Sequence, residues 1–324
     1  MQMRLRVLFF LVSIFCFRDC FCWGFYAHKK INYYAVFLLP PRMISFYKKN
    51  IQFITDHAVD PDKRRSVVKN EAANHYLDID YYGKYPYLEL PRRWDMAITK
   101  YSIDTIRKKG ILPWNIQIML LRLTNAFKKK DYLKILKTSA DIGHYIADAH
   151  VPLHTNSNHN GQLTNQMGIH AFWESRVPEL LAEKKFNFYI GKALYIKNPV
   201  EFIWENILES AQAADSVLCM ERELSDSFTN DKKYSFELRN KIIIKQYSSA
   251  YTIAYNNKLN GMVERRMRKS IFSIASLWYT AWVDAGQPDL EKLSDRNLTK
   301  EETTQFDELD DAWKNSKSNY KEHE

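Results

Sequence analysis

An all-α fold is predicted for this chain from three observations. Apolar residues recur at helical spacing over long stretches, only 9 glycines occur in 324 residues, and 46% of the residues are hydrophobic. That apolar share is enough to bury one large core. No segment shows convincing strand alternation, and there is no internal repeat. The expected elements follow in chain order. Ile31 to Asn50 reads as two helical halves, because Pro40 and Pro41 interrupt the pattern and proline belongs at a helix start. Asp78 to Pro91, rich in tyrosine and holding two prolines, reads as loop. Pro113 opens an amphipathic helix over Trp114 to Lys129, and the next helix runs from Tyr132 to His150, ahead of Pro152. Thr155 to Gly168 is rich in Asn and Gly and reads as loop; Ile169 to Leu181 reads as helix. Three further helices are expected at Val200 to Cys219, Phe236 to Asn256 and Met262 to Asp284, the last stopped by Gly286 and Pro288.

The two ends differ from this middle. Residues 1–22 read as a signal peptide: Arg4 and Arg6 give a positive start, and Val7 to Phe17 is apolar. That run is short of the roughly 20 residues a membrane-spanning helix needs, so no transmembrane anchor is expected. Cys20 and Cys22 suit the positions before a cleavage ahead of Trp23, which implies export to a periplasmic or extracellular space. Cys16, Cys20 and Cys22 leave with the leader, so Cys219 remains alone, without a disulfide framework, and reads as a small buried hydrophobe. Residues 23–290 are the expected catalytic domain, a monomer. Residues 291–324 are read as a charged, mobile tail, since Lys300 to Glu324 carries eight acidic and four basic residues with few apolar ones. Removing the leader lowers the net charge from +9 to +7. A basic balance suits a polyanionic or anionic-lipid substrate without choosing between them. The basic run Lys63, Arg64 and Arg65 reads as a solvated face.

Two helical pairs carry the chemistry. His144 with Asp148 and His170 with Glu174 are each spaced four apart, which sets both side chains on one helix face a turn apart, close enough to share a metal. His154 follows six residues after Asp148; upstream stand Trp23 with His28, and Asp60 with His75. Five of the nine histidines fall in this pattern, and His57, His150, His159 and His323 are read as bystanders. Any single pair also fits a hydrogen-bonded core histidine; the joint pattern points to a multinuclear zinc site. Imidazole and carboxylate are ligands zinc favours, and the lack of paired cysteines argues against a closed structural site.

The segments HYIADAHVPLH and GIHAFWES, with the opening WGFYAH, NHYLD around His75 and the terminal SIASLWYTAWVDAG, resemble the superfamily of zinc-dependent phospholipases C and single-strand-specific zinc nucleases. The resemblance runs from Trp23 to about Pro288. It implies a single-domain helical bundle around three Zn2+ ions. One would be held by His75, His144 and Asp148 with Asp60, which serves as a further ligand or as the base for the attacking water. His154, His170 and Glu174 would hold the second. The α-amino group and carbonyl of Trp23, with His28 and a shared oxygen of Asp148, would hold the third. The activity implied is hydrolysis of phosphoric esters by a water that zinc acidifies, a chemistry that needs no covalent intermediate.

The substrate implied is a phospholipid or a single-stranded nucleic acid. Glu174, the missing disulfides and LWYTAW resemble the phospholipases, while Tyr26, Pro61 and Ala72 depart from the residues of their choline pocket. Tyr76 and Asp78 are candidate substrate-binding residues that either branch of the superfamily would share. The expectation is a phospholipase C-like hydrolase, with a single-strand-specific endonuclease that also removes 3′-phosphates as the alternative and a non-catalytic zinc-binding protein as the third reading. Tyr81, Tyr82, Tyr85 and Tyr87 are candidates for docking lipid or stacking on bases.

Overall fold

Packing in this molecule is arranged around one long helix near its C-terminal end. The computed structural model describes residues 24–239, 242–294 and 296–316. Trp23, the leader and residues 317–324, with His323, lie outside them. Helix α1 (Phe25–Val36) and α2 (Pro41–Lys49) are separated at the two prolines, with Pro41 in the first turn of α2 where its missing N–H leaves nothing unpaired. Then come α3 (Ile51–Asp56), a 3-10 turn at His57–Val59 and α4 (Asp60–Arg65). After 3-10 turns at Ala72–His75 and Ile79–Tyr82, α5 (Trp94–Tyr101) and α6 (Ile103–Lys108) lead into α7 (Leu112–Lys129) and α8 (Tyr132–Asp148). Lys130 turns the chain between these two in a left-handed conformation at φ 51°, and the Asp131 carboxylate caps α8 by accepting from the Lys134 N–H.

Helix α9 (Ile169–Ala171) runs through a π-helical turn at Phe172–Arg176 into α10 (Val177–Lys185). The chain continues with α11 (Pro199–Ser225), α12 (Asn230–Lys233), strands β1 (Tyr234–Arg239) and β2 (Ile242–Tyr247), α13 (Ser249–Lys258), α14 (Met262–Asp284), α15 (Glu291–Ser294) and α16 (Lys300–Asn315). Helix α14 is the axis, packed on α1, α7 and α8. Its Trp278 is fully buried, stacks on Tyr47 at 5.0 Å and donates its indole N–H to the Ser139 carbonyl at 3.1 Å. Truncating such a residue to Ala costs about 3–5 kcal/mol. Among the described residues, no helix is long and apolar enough to cross a membrane.

The all-α class is observed, and three expectations are corrected. Phe236 to Asn256 is not one helix: β1 and β2 form an antiparallel ribbon before α13 begins. Ile242, Ile243 and Ile244 are β-branched and stiff, and Tyr234, Phe236 and Leu238 alternate, so local preference favours a strand. The tail is not structureless through its first part. Thr299 and Glu302 make a reciprocal capping box at the start of α16, and Phe306 is buried against Phe53 and His57 at ring distances of 5.3 and 4.2 Å. Phe306, Leu309 and Trp313 are spaced as one helical stripe, a signal diluted by the acidic residues between them. Cys219 is exposed on α11, its thiol 3.4 Å from Glu223 Oε1.

Candidate metal centre

Helices α1 and α8 cross closely enough for two imidazoles to stack. Gly143 makes this possible, because a Cβ there would collide with the Asn32 carboxamide. Asn32 in turn donates to the carbonyls of Ile54 and Ala140 at 3.3 and 3.2 Å, tying α1 to α3 and α8. One turn along α1 from Asn32, His28 lies over His144 with ring centroids 3.8 Å apart and planes within 16°. Asp148 sits a turn beyond His144, and its Oδ1 is 3.4 Å from His28 Nε2.

Four ligand atoms converge at this point from two helices, α4 and α8, and the 3-10 turn at Ala72–His75. Asp148 Oδ2 lies 3.0 Å from His75 Nδ1 and 3.3 Å from His144 Nε2, and those two nitrogens are 3.1 Å apart. Asp62 Oδ1 closes the group at 3.8 and 3.7 Å from the same nitrogens. A tetrahedral ion with bonds of about 2.0–2.1 Å sets its ligand atoms about 3.3–3.4 Å apart, and the observed separations bracket that value. The ring tautomer is fixed from behind: the His144 Nδ1–H donates to the Ala58 carbonyl at 2.9 Å, leaving Nε2 as a lone-pair donor.

A second group lies on the π-helical turn. His170 Nε2 is 3.1 Å and His154 Nε2 is 3.5 Å from Glu174 Oε2, and His154 Nδ1–H donates to the His75 carbonyl at 2.5 Å. The two groups adjoin, since His154 Nε2 is 4.0 Å from Asp148 Oδ1. Gly24 packs against Ser175, the neighbour of Glu174, so closely that a Cβ would overlap the Ser175 side chain. The residue preceding Gly24 in sequence, Trp23, lies outside the described residues.

Burial sharpens the electrostatics. His28, His75, His144, Asp148 and Glu174 are 0% exposed. Burial alone would raise the Asp148 carboxyl, yet the imidazoles of His144 and His154 hold it well below the ordinary value. Burial likewise opposes charge on His144 and His154, and Asp148 with its carboxylate neighbours outweighs it, raising both. His28 is lowered, by burial first and then by His144. Among the described residues, no hydrogen bond reaches His28 Nε2, either oxygen of Asp62, Asp148 Oδ1, His154 Nε2 or Glu174 Oε1. Buried polar atoms are almost always partnered, so this cluster of bare nitrogens and carboxylate oxygens fits bound cations. His28 with His144 and Asp148, Asp62 with His75 and His144, and His154 with His170 and Glu174 make three such triads.

The sequence-predicted residues divide into those brought together and those not. His28, His75, His144, Asp148, His154, His170 and Glu174 converge. Asp60 does not: His57 Nδ1 lies 2.6 Å from its Oδ2, and Lys63 donates to Oδ1 at 2.9 Å. Asp62 stands where Asp60 was expected, because residues two apart on a helix point about 200° apart and α4 turns only one of the pair inward. Nor is the basic run on α4 a solvated face. Lys63 pairs with Asp60 and with Asp310 of α16, Arg64 with Asp141, and Arg65 Nη1 lies 3.6 Å from Asp62 Oδ1. His57 is thus engaged at the rim, while His150 is neutral in the core, lowered by burial to about 4.

Tyr76 and Asp78 are buried rather than presented to a cleft. The Tyr76 hydroxyl donates to the Lys108 carbonyl at 3.1 Å. Burial pushes the Asp78 carboxyl up to about 7, with Lys109 at 3.7 Å only partly offsetting it. Of the four loop tyrosines, Tyr82 is buried, Tyr81 and Tyr85 are exposed and Tyr87 lies between. An open depression of about 640 Å³ lies nearby, lined by Lys69, Asn74, Arg107 and Lys108 among others, with Glu71 in its wall. Glu71 Oε1 is 3.8 Å from His75 Nε2. Compared with known proteins, the chain matches no family model and no curated sequence.

Proposed function

We propose that this chain is an exported, zinc-dependent phosphoric ester hydrolase of the phospholipase C-like kind, holding three zinc ions. The observation that carries the reading is the set of unpartnered imidazole nitrogens and carboxylate oxygens, grouped in three triads, two of which share His144 while the third adjoins them where His154 Nε2 lies 4.0 Å from Asp148 Oδ1. Zinc ions held by these residues would supply a water acidic enough to lose its proton near neutral pH, and positive charge for the phosphoryl oxygens. In this reading Asp62 takes the role first expected of Asp60, as ligand or as acceptor of that proton. Asp60 has its oxygens engaged by His57 and Lys63 and acts from behind by positioning α4. The backbone bonds from His144 and His154 keep each Nε2 free to ligate. The α-amino group of Trp23, once freed by leader cleavage, would be the further ligand of the third ion beside His28 and Asp148.

A single-strand-specific nuclease is the second reading, and the depression lined by Lys69, Arg107 and Lys108 favours it, since cations along a groove track a phosphate backbone. The test is zinc analysis of the purified protein with hydrolysis assays on phosphatidylcholine, single-stranded DNA and a p-nitrophenyl phosphodiester. Zinc at three per chain with turnover of lipid and of the small diester supports the first reading; turnover of DNA without lipid supports the second. Zinc-loaded protein inert on all three substrates refutes both.

A further inference from the structure

The ribbon of β1 and β2 is the part of the molecule that this chemistry leaves unused. Phe236 pairs opposite Lys245, and Leu238 opposite Ile243. Residues directly opposite share a face, and on this one Phe236, Leu238 and Ile243 are 75%, 72% and 70% exposed, with Lys245 exposed beside them. The other face is fastened to the body. There Glu237 accepts from Arg176 at 2.6 Å and from the Gln246 amide, while at the base of the ribbon Tyr247, which shares the exposed face as the partner of Tyr234, stacks on Phe172 at 3.8 Å. Glu237 is the only acidic residue of the two strands, so the exposed face carries no negative charge. At its base the Lys245 ammonium lies over the Tyr234 ring, 4.1 Å from the centroid.

Exposed apolar side chains on a two-stranded ribbon invite association. We propose that this face docks into the interfacial zone of an anionic lipid bilayer. Apolar tips above an aromatic and lysine base match the layering of a membrane surface, where Tyr and Lys settle at the headgroups. From Tyr234 to Leu238 the strand rises about 13 Å at about 3.3 Å per residue, which covers the roughly 5–10 Å to which interfacial elements enter. Lys245 and the net charge of +7 that remains without the leader complement anionic headgroups. A protein partner would need a complementary patch of about 800 Å²; a bilayer demands no matched shape and accepts three isolated side chains.

The docking follows from the ribbon alone, but its consequence for substrate rests on the zinc-centre reading. Phe172 and Arg176, which hold the ribbon, lie on the same π-helical turn as Glu174. A membrane-docked ribbon therefore fixes one wall of the metal centre close to lipid and names lipid phosphodiesters as the substrate class.

Co-sedimentation of the zinc-loaded protein with vesicles of phosphatidylcholine alone and of phosphatidylcholine mixed with phosphatidylglycerol tests this. Binding is expected to favour the mixed vesicles. Replacing Phe236, Leu238 and Ile243 together by Ser should weaken it by about tenfold or more. Lys245→Glu, which leaves the apolar face intact, should abolish the preference for anionic vesicles. Equal partitioning of parent and triple variant overturns the proposal. So does a vesicle-free, concentration-dependent dimer that the triple variant loses, which would identify a second copy as the partner. Should the triple variant lose its helical circular dichroism, the Lys245→Glu comparison decides alone. Vesicle binding by a protein that hydrolyses no phosphoric ester would sink the activity and leave the docking standing; lipid hydrolysis without vesicle binding would do the reverse.

Discussion

Asp148→Ala is the perturbation on which the proposed centre depends most. The carboxylate lies 3.0 to 4.0 Å from His75, His144, His28 and His154, so its loss acts in two ways. Zinc binding of about 10–16 kcal/mol spread over four ligands is about 3 kcal/mol per ligand, roughly a hundredfold in affinity. In the proposed centre Asp148 serves two of the three ions, so both should weaken by that factor while the ion on His154, His170 and Glu174 remains. In metal-free protein the substitution strips buried imidazoles of their counter-charge. Breaking a buried pair costs about 3–5 kcal/mol, which in a domain of this size lowers the thermal midpoint by roughly 6–20 °C. Atomic absorption after dialysis against buffer with controlled free zinc should read three ions for the parent and one for the variant, and calorimetry in chelator should show the drop. Three ions retained at the same free zinc, with an unchanged midpoint, would refute the shared-carboxylate model.

The other predictions test neighbouring links. Gly143→Ala should push α1 from α8, separate His28 from His144 and reduce zinc by one ion; extended X-ray absorption with metal counting checks it, and three ions bound would rule out the close-approach argument. Asp62→Asn should abolish hydrolysis of a phosphodiester while Asp60→Asn loses about tenfold, the scale of a residue acting through its neighbours; the reverse order in kcat would return the role to Asp60. Asp78 sits near 7 against an ordinary 3.8 because it is buried, so the folded state holds a proton that the unfolded chain has released, and stability falls as pH rises from about 4 to 7. Asp78→Asn removes a penalty of up to about 4 kcal/mol at neutral pH. The gain in thermal midpoint over the parent should therefore grow between pH 4.5 and pH 7.5, and a pH-independent difference contradicts it. Protein retaining Met before Trp23 should bind two zinc ions rather than three, since an amide replaces the α-amino group; equal stoichiometry would remove Trp23 from the centre.

Most of the helices, with His144, Asp148, His170 and Glu174, were legible because each rests on local spacing, whereas His28, His75 and His154 were legible only through the joint pattern and the resemblance it carries. A four-residue separation fixes His144 to Asp148 and His170 to Glu174 whatever the rest of the chain does. The choice between Asp60 and Asp62 was not legible, since both flank Pro61 and only the packing of α4 against α8 decides which faces inward. The ribbon was missed through its apolar content, which reads as buried helix when period alone is counted; the run of three isoleucines was the signal available. Helix α16 was hidden by its acidic surface, although Phe306 and Trp313 lie two turns apart on one face. The buried positions of Tyr76 and Asp78 depend on α6 and its connection to α7, through Lys108 and Lys109, which nothing near them in sequence announces.

The π-helical turn at Phe172–Arg176 has a consequence for chain length. Such a turn closes over one more residue than an α-helical turn, so the helix from Ile169 to Lys185 holds one residue in excess. Deleting Ser175 would let it run as an unbroken α-helix, with solubility and helical content preserved. Because the wide turn absorbs the extra residue, α10 would keep nearly its register against α13 and α14, while the side chains of the turn itself, Glu174 among them, would be aimed differently. Pro178 is suited to the wide form, because in a regular helix its missing N–H would orphan the Glu174 carbonyl. This stretch therefore works as a phase adjuster, letting one helix present His170 and Glu174 on one side and seat α10 on another, and a single-residue change in length there would part folding from function.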